Sequence, residues 1–364
     1  MINIEYQESL YYYPKFIDKI KGKTVGIICD INTEKYALNV KDMCDKVSKT
    51  LICTYQDHEL IPSEDKIEVG IKFAEDVDYV LVVGSGTLND MGKYIGTVLN
   101  IPTGVFATAP SMDGYLSKGS ALYEKGYKVT KEVNMPADVL VHLDTLANAP
   151  KLMIASGVGD ILGKITCLTD WKLSNIVNNE PIHEEGFKLM EEALNACLTD
   201  FDAIVNYNKL GIKKLMDALI TAGLSMAIVG NSRPASGSEH HISHYLEMDF
   251  VKKQLPVPFH GIKVALGTLV ALELYHGLLE VTDLPHKEEI TQLVNTLPTV
   301  NEVKDMLIKA GCPIRFSEIN VAKETFIEMF YNAHKVRDRF TILTFISKLG
   351  LHDYFLPRVL EKYF

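Results

Sequence analysis

The pattern of apolar and polar positions changes near residue 150. Before it, short apolar runs rich in β-branched residues alternate with segments of helical spacing. KTVGIICD (23–30), TLICTYQ (50–56), DYVLVVGSG (78–86) and PTGVFATAP (102–110) are the apolar runs. Residues 33–49, 64–76 and 87–100 between them repeat apolar side chains with a helical period. Such alternation predicts a mostly parallel sheet with helices on both faces, because parallel neighbours need a crossover and each crossover covers a face. GYKVTKEV (126–133) and ADVLVHLD (137–144) read as further strands near the sheet edge. Beyond residue 150, segments such as LMEEALNACLTDFDAIV (189–205) and LMDALITAGLSMAIV (215–229) carry apolar residues at i, i+3, i+4 and i+7, and strand signals fade. The fold class predicted is α/β plus all-α: a Rossmann-like domain over residues 1–150 and a helical domain over 151–364. The junction is short, so a cleft between the domains is the expected place for a ligand.

Composition narrows the function. The chain has 364 residues, 47% of them hydrophobic and 23% charged, which excludes a disordered or collagen-like chain. A chain this long buries about three quarters of its unfolded surface. A metal would therefore serve chemistry rather than folding. The net charge of −10 argues against nucleic acid and anionic membrane as partners. Six scattered cysteines without a C-x-x-C exclude a zinc knuckle and a dithiol redox motif, and they fit a reducing cytoplasm. The sequence reads as lacking both a signal-peptide core and a run of about 20 apolar residues that would span a membrane. A cytoplasmic protein with a small-molecule substrate is expected, with a homodimer or larger homo-oligomer as the default assembly.

Candidate chemistry gathers at a few segments. LVVGSGTLNDMGKYIG places Gly84, Ser85 and Gly86 where a strand gives way to a helix, followed by Thr87, Leu88, Asn89 and Asp90. Such a turn offers free N–H groups and a positive helix end to a dinucleotide pyrophosphate. Asn89 replaces the third glycine of G-x-G-x-x-G, so an ordinary glycine-bearing strand-to-helix turn is the alternative. FATAPSMDGYLSKGSALY (106–123) holds Thr108, Ala109, Pro110, Ser111, Asp113, Ser117 and Tyr123, a set suited to ribose, phosphate or polyol. Asp30 ends the first run, either as an acceptor for a ribose hydroxyl or as a helix cap with Asn32 and Thr33.

In the helical half, His240 and His244 are four apart and share a helix face. His260 precedes a glycine, and Asp160 lies in ASGVGDILGK. Two imidazoles and a carboxylate would leave open positions on a divalent metal; cap, loop and solvated-surface readings stand beside that one. Lys164 and Arg233 are either phosphate ligands or surface ion pairs. Arg337, Asp338 and Arg339 read as a salt-bridged helix face.

Taken in order, GSGTLNDMGKY, FATAPSMDGYLSKGSALY, SGVGDILGK, DW at 170–171, RPASGSEHHISHYLE and FHGIKVALG resemble the sn-glycerol-1-phosphate dehydrogenases. These belong to the iron-containing alcohol dehydrogenase and dehydroquinate synthase-like superfamily, and the resemblance runs from about residue 24 to about 270. It implies that Gly86 to Asp90 cradle the pyrophosphate of NAD or NADP. Thr108 to Ser111, Ser117 and Tyr123 match the second cofactor loop. Asp113 matches a residue facing the glycerol. Asp160, His240 and His260 match the ligands of one divalent metal, most often zinc, with nickel or iron in some members. Asp160 and His244 would touch substrate, with His244 a candidate for proton relay. The implied reaction interconverts dihydroxyacetone phosphate and sn-glycerol 1-phosphate. Rivals are a dehydrogenase of glycerol or another small polyol and an NAD-using cyclase or lyase of the dehydroquinate synthase type.

Overall fold

The computed structural model describes residues 2–125 and 127–364. It divides into two compact units. The first comprises Met1–Pro110, Gly114–Pro150 and Asp202–Gly223, and the second comprises Ser111–Asp113, Lys151–Phe201 and Leu224–Phe364. The single boundary expected at 150/151 is therefore interrupted twice, by residues 111–113 and by residues 202–223.

Among the described residues the first unit holds eight strands: β1 (Asn3–Gln7), β2 (Thr24–Asp30), β3 (Lys49–Tyr55), β4 (Tyr79–Gly84), β5 (Thr103–Ala107), β6 (Gly119–Glu124), β7 (Tyr127–Glu132) and β8 (Asp138–His142). Helices α1 (Pro14–Ile20), α2 (Glu34–Cys44), α3 (Glu64–Ala74) and α4 (Gly86–Leu99) connect the early strands. Six strands form one sheet in the order β1-β8-β5-β4-β2-β3, and every pairing in it is parallel. Side chains alternate across it. Val25, Ile27, Cys29, Leu81, Val83, Phe106 and Leu140 pack with Phe16 and Ile20 of α1 and Val40 and Met43 of α2. The intervening Ile28, Val80 and Val82 pack with Ile67 of α3 and Leu88, Met91 and Ile95 of α4. Burial on both faces is why these strands read as continuous apolar runs.

Two expectations about the late strands change. β8 lies inside the sheet, between β1 and β5, because the half-polar β1 (NIEYQ) takes the edge beyond it. The expected strand at 126–133 is β7, which pairs antiparallel with β6 in a separate two-stranded sheet; residue 126 itself lies outside the described residues. Residues 202–223 contribute most of a long helix to this unit, where Gly223 comes so close to Leu116 that a β-carbon would lie 3.0 Å from its backbone.

After β8 the described chain is helical: α5 (Leu143–Ala147), α6 (Lys151–Leu162), α7 (Lys164–Asn178), α8 (Glu184–Thr199), α9 (Phe201–Val205), α10 (Lys209–Val229), α11 (Ser238–Lys252) and α12 (His260–Leu278), with further helices between residues 287 and 363. The stretch Lys151–Asn178 and the helix His260–Leu278 are long and apolar enough to cross a membrane, contrary to the sequence reading. Their most apolar windows are 89% and 94% buried within the fold. Three helices cross closely here. A β-carbon on Gly261 of α12 would lie 1.7 Å from the Ser156 carbonyl oxygen of α6, and one on Gly267 would lie 2.6 Å from the Glu239 carbonyl oxygen of α11. Only glycine permits these approaches, and they set the spacing of the side chains described next.

Candidate functional site

In the first unit the strand order reverses between β2 and β4: β3 lies on one side of β2, and β4, β5 and β8 continue on the other. Open parallel sheets bind ligands at the carboxyl ends of strands beside such a switch point. The two strand ends there are Asp30 and Gly84. Asp30 is occupied locally: Oδ1 accepts from the Asn32 and Thr33 amides and from the Thr33 hydroxyl, each at 2.9 Å. The Gly84–Gly86 turn leads into α4, whose first peptide N–H groups have no acceptor within the helix.

The remaining candidates near this turn mostly build its walls. Asn89 donates to the Gly114 carbonyl at 3.2 Å. Asp90 accepts from the Ala121 amide at 3.0 Å and pairs with Lys93 at 2.9 Å. The Thr108 amide donates to the Gly84 carbonyl at 3.1 Å, which ties the β5 exit to the turn. Tyr123 lies on β6, where its amide donates to Pro62. Two organising residues escaped the sequence reading. Lys93 is buried and donates to Gly114 (2.9 Å), the Ser117 hydroxyl (3.1 Å) and Gly119 (2.7 Å). Tyr115 donates to the Ala109 carbonyl at 2.6 Å and lies 3.2 Å from Ser85 Oγ. Between them they tie Ala109 and residues 114–119 to the glycine turn and α4. The signal available was Lys93 itself, three residues after Asp90 and so on the same helix face.

In the second unit Asp160, His240 and His260 offer ligand atoms that all lie within 4.8 Å of one another. His240 Nε2 is 3.2 Å from His260 Nε2 and 3.7 Å from Asp160 Oδ1. Asp160 lies near the C-terminal end of α6, not at a helix start, so it is not an N-cap. His240 is in the first turn of α11, and His260 opens α12. The His244 ring centroid is 6.1 Å from each of the other two imidazoles. Glu239, also overlooked in the sequence, accepts at 2.7 Å from His240 Nδ1 and so leaves Nε2 as the ligating atom. Glu239 is itself held by the Gly237 amide (2.7 Å) and the Thr166 hydroxyl (2.7 Å). Burial, together with the nearby Asp170 charge, raises the Glu239 carboxyl to about 7.

Charge in this site is balanced by a buried lysine. Lys164 donates to Asp113 Oδ2 (2.6 Å), Asp160 Oδ1 (2.8 Å) and the Ala235 carbonyl (2.8 Å). Burial would lower its pKa, but the two carboxylates outweigh burial and hold the ammonium above the ordinary lysine range. Asp113 also donates its amide to Asp160 Oδ2 at 3.0 Å. Its carboxyl is raised by burial and by the like charge of Asp160, a rise that Lys164 opposes. His240 is pushed well below the usual histidine range by burial and then by the charges of Lys164, His260, His244 and Arg337. A neutral imidazole is the form that binds a metal. Ser111 is joined to this unit through its carbonyl, which accepts from the Ser156 hydroxyl at 2.9 Å.

The cations expected to hold phosphate are engaged elsewhere. Lys164 serves the two aspartates. Arg233 forks onto Glu180 at 3.0 and 2.9 Å and onto the Asp170 carbonyl at 3.1 Å. Arg337 and Arg339 do not form a salt-bridged helix face. They lie in the bend after residue 335, and among the described residues neither pairs with a carboxylate.

The family model for iron-containing alcohol dehydrogenases matches residues 6–150. A Bacillus subtilis (strain 168) protein named glycerol-1-phosphate dehydrogenase [NAD(P)+] is 34% identical over 346 residues, 91% of this chain and 88% of that protein. A protein of the same name from Pyrococcus horikoshii is 30% identical over 336 residues, 92% of this chain and 85% of its own length. Among solved structures, a probable glycerol dehydrogenase from Sinorhizobium meliloti 1021 superposes with a TM-score of 0.71 at 17% identity, covering 97% of each chain.

Proposed function

Because the chain belongs to the glycerol-1-phosphate dehydrogenase family, we propose that it interconverts dihydroxyacetone phosphate and sn-glycerol 1-phosphate. NADH or NADPH is the hydride partner, and one divalent metal is held by Asp160, His240 and His260, with zinc as the first choice and nickel or iron as the alternatives. The observation that carries the metal reading is the convergence of one carboxylate and two imidazole nitrogens, with His240 oriented by Glu239. Three protein ligands, where a structural site has four, is the pattern of a catalytic site. When bound, the metal supplies Lewis-acid polarisation of the substrate C2 oxygen, and the nicotinamide supplies or accepts the hydride.

The chain's own residues do the positioning. Glu239 fixes the His240 tautomer and ring direction. Lys164 keeps Asp113 and Asp160 together by neutralising their repulsion, so that two buried carboxylates can face one polyol. Reduction consumes a proton at the C2 oxygen, and His244, half-buried beside both imidazoles, is the residue proposed to deliver it. The Gly84–Asp90 turn and residues 108–111, with Ser117 and Tyr123, are proposed to hold the cofactor, with Asp30 beside the adenosine ribose. Since Asp30 Oδ1 already closes its own turn, only its second oxygen is offered to a ribose.

One observation favours the rival reading of a free-polyol dehydrogenase: Lys164 and Arg233 are both spoken for by carboxylates. The test is NADH oxidation by metal-loaded protein with dihydroxyacetone phosphate and with dihydroxyacetone, each with a chelator control. Preference for the phosphate ester by orders of magnitude, abolished by chelation, supports the proposal. Turnover of the free ketone alone contradicts it.

A further inference from the structure

Resting on the phosphate-ester reading, we propose that Arg337 and Arg339 form the phosphate subsite, with the free guanidinium nitrogen of Arg233 as its third donor. These two arginines follow the last helical turn before residue 336 and are half-buried. Arg339 donates to the carbonyls of Ser232 (3.3 Å) and Ser236 and to the Ser232 hydroxyl (3.0 Å). Arg337 makes a single long contact, 3.4 Å to the Ser232 hydroxyl. Neither meets a carboxylate partner among the described residues. The buried acids nearby are committed: Glu239 to Gly237, Thr166 and His240, and Asp170 to the Ser238 amide, the Tyr275 hydroxyl and the Ile342 amide.

A second observation points to a ligand. Arg233 is 3% exposed, and its Nη1 is buried without a partner. The Ser236 and Thr341 hydroxyls, 3% and 0% exposed, are also buried without partners; Ser236 gives its carbonyl to Arg339, and Thr341 lies two residues after Arg339 in the chain. Buried donors are ordinarily satisfied, so a group of unsatisfied donors and unpaired guanidinium groups calls for an oxygen-rich anion. Burial and the mutual repulsion of the arginines lower the Arg339 guanidinium to about 10, a penalty that an anion would relieve.

Place and reach fit a short phosphate ester. Arg339 holds the Ser232–Ser236 segment that runs directly into the first turn of α11, where His240 lies. A three-carbon ester with its C2 oxygen at the Asp160–His240–His260 cluster would extend its phosphate toward the two arginines. Guanidinium groups suit that role because their planar forks bind phosphate oxygens in pairs.

The primary variant is Arg337→Gln, because Arg337 makes little structural contact. Arg339→Lys, which keeps the charge but loses the fork, is the second. For native and variant holoprotein, kcat/KM is measured with dihydroxyacetone phosphate and with dihydroxyacetone, using NADH and then NADPH. Inhibition by inorganic phosphate is measured alongside, and NADH binding serves as the check that the fold is intact. The expected result is that the preference for the phosphate ester falls on the order of 10- to 100-fold in Arg337→Gln, with a smaller fall in Arg339→Lys and weaker phosphate inhibition in both. An unchanged preference in folded Arg337→Gln overturns the subsite while leaving the enzyme reading standing. A loss seen only as a raised KM for NADPH assigns the arginines to the cofactor phosphate and also overturns it. Native protein that shows no preference for the ester overturns the functional reading and the subsite with it.

Discussion

Lys164→Met removes the one cation that holds two buried carboxylates together. Its ammonium lies 2.6 Å from Asp113 and 2.8 Å from Asp160, and Lys164 and Asp160 are fully buried. Breaking a buried ion pair by deleting one partner costs about 3–5 kcal/mol, because the survivor is left charged and unpaired. Each kcal/mol shifts the melting of a cooperative unit of this size by about 2–4 °C, so chelated Lys164→Met should melt roughly 6–20 °C below native protein. The pH dependence has a definite sign. Asp113 already titrates above its ordinary range through burial and the Asp160 charge, and loss of Lys164 raises it further. A carboxyl with a raised folded pKa loses stability as pH climbs from its unfolded value through its folded value, so the deficit should be larger at pH 8 than at pH 5. A divalent metal would supply the missing charge. Zinc should therefore raise the melting temperature of the variant by more than it raises that of native protein. Differential scanning calorimetry with and without chelator reads both effects. A chelated variant that melts within about 2 °C of native protein, or one that gains no more from zinc, would refute the reasoning.

Glu239→Ala removes the acceptor on His240 Nδ1. Zinc affinity, read by competition with a chromophoric chelator, should fall about 10- to 100-fold. Gly261→Ala would drive a β-carbon to 1.7 Å from the Ser156 carbonyl oxygen and force α12 away from α6. It should cost about 1–3 kcal/mol in denaturant melts and weaken zinc binding, since His260 and Asp160 sit on the two separated helices. Glu273 is buried, which would raise its pKa, but Lys362 and Arg358 outweigh burial and lower it. The stability from that cluster is present above the ordinary glutamate range and is lost as pH falls through the lowered value. Glu273→Gln should therefore destabilise at neutral pH and flatten the acid limb of a stability–pH curve.

The parts of the fold legible in the sequence are those where burial is uniform. β2, β4 and β5 are covered on both faces and read as unbroken apolar runs. β1 and β6 escaped because NIEYQ and GSALYE mix polar and small residues at a sheet edge and in a separate hairpin. The interior place of β8 depends on β1 and could not be seen without it. In the site, the residue types at 160, 240 and 260 carried the chemistry. Their convergence depends on helix crossings that Gly261 and Gly267 permit, a long-range fact with no local sequence signal. Lys164 was chosen for its place four residues after Asp160, which it meets at 2.8 Å, and Arg233 for its nearness in sequence to the histidines; neither spacing shows that Asp113 and Glu180 also meet them in space. Arg337 and Arg339 were discounted because alternating charges usually mark a solvated helix; here a bend leaves both guanidinium groups half-buried without a carboxylate.

The central claim is that Asp160, His240 and His260 hold the one metal on which ketone reduction depends. Its most direct test is a zinc titration of chelator-stripped protein, followed by NADH oxidation with dihydroxyacetone phosphate, in native protein and in His260→Ala. Activity is predicted to rise linearly to a break at one metal per chain in native protein and to stay at background in His260→Ala. Full turnover in the stripped native protein, or an unaltered break in His260→Ala, would contradict the account.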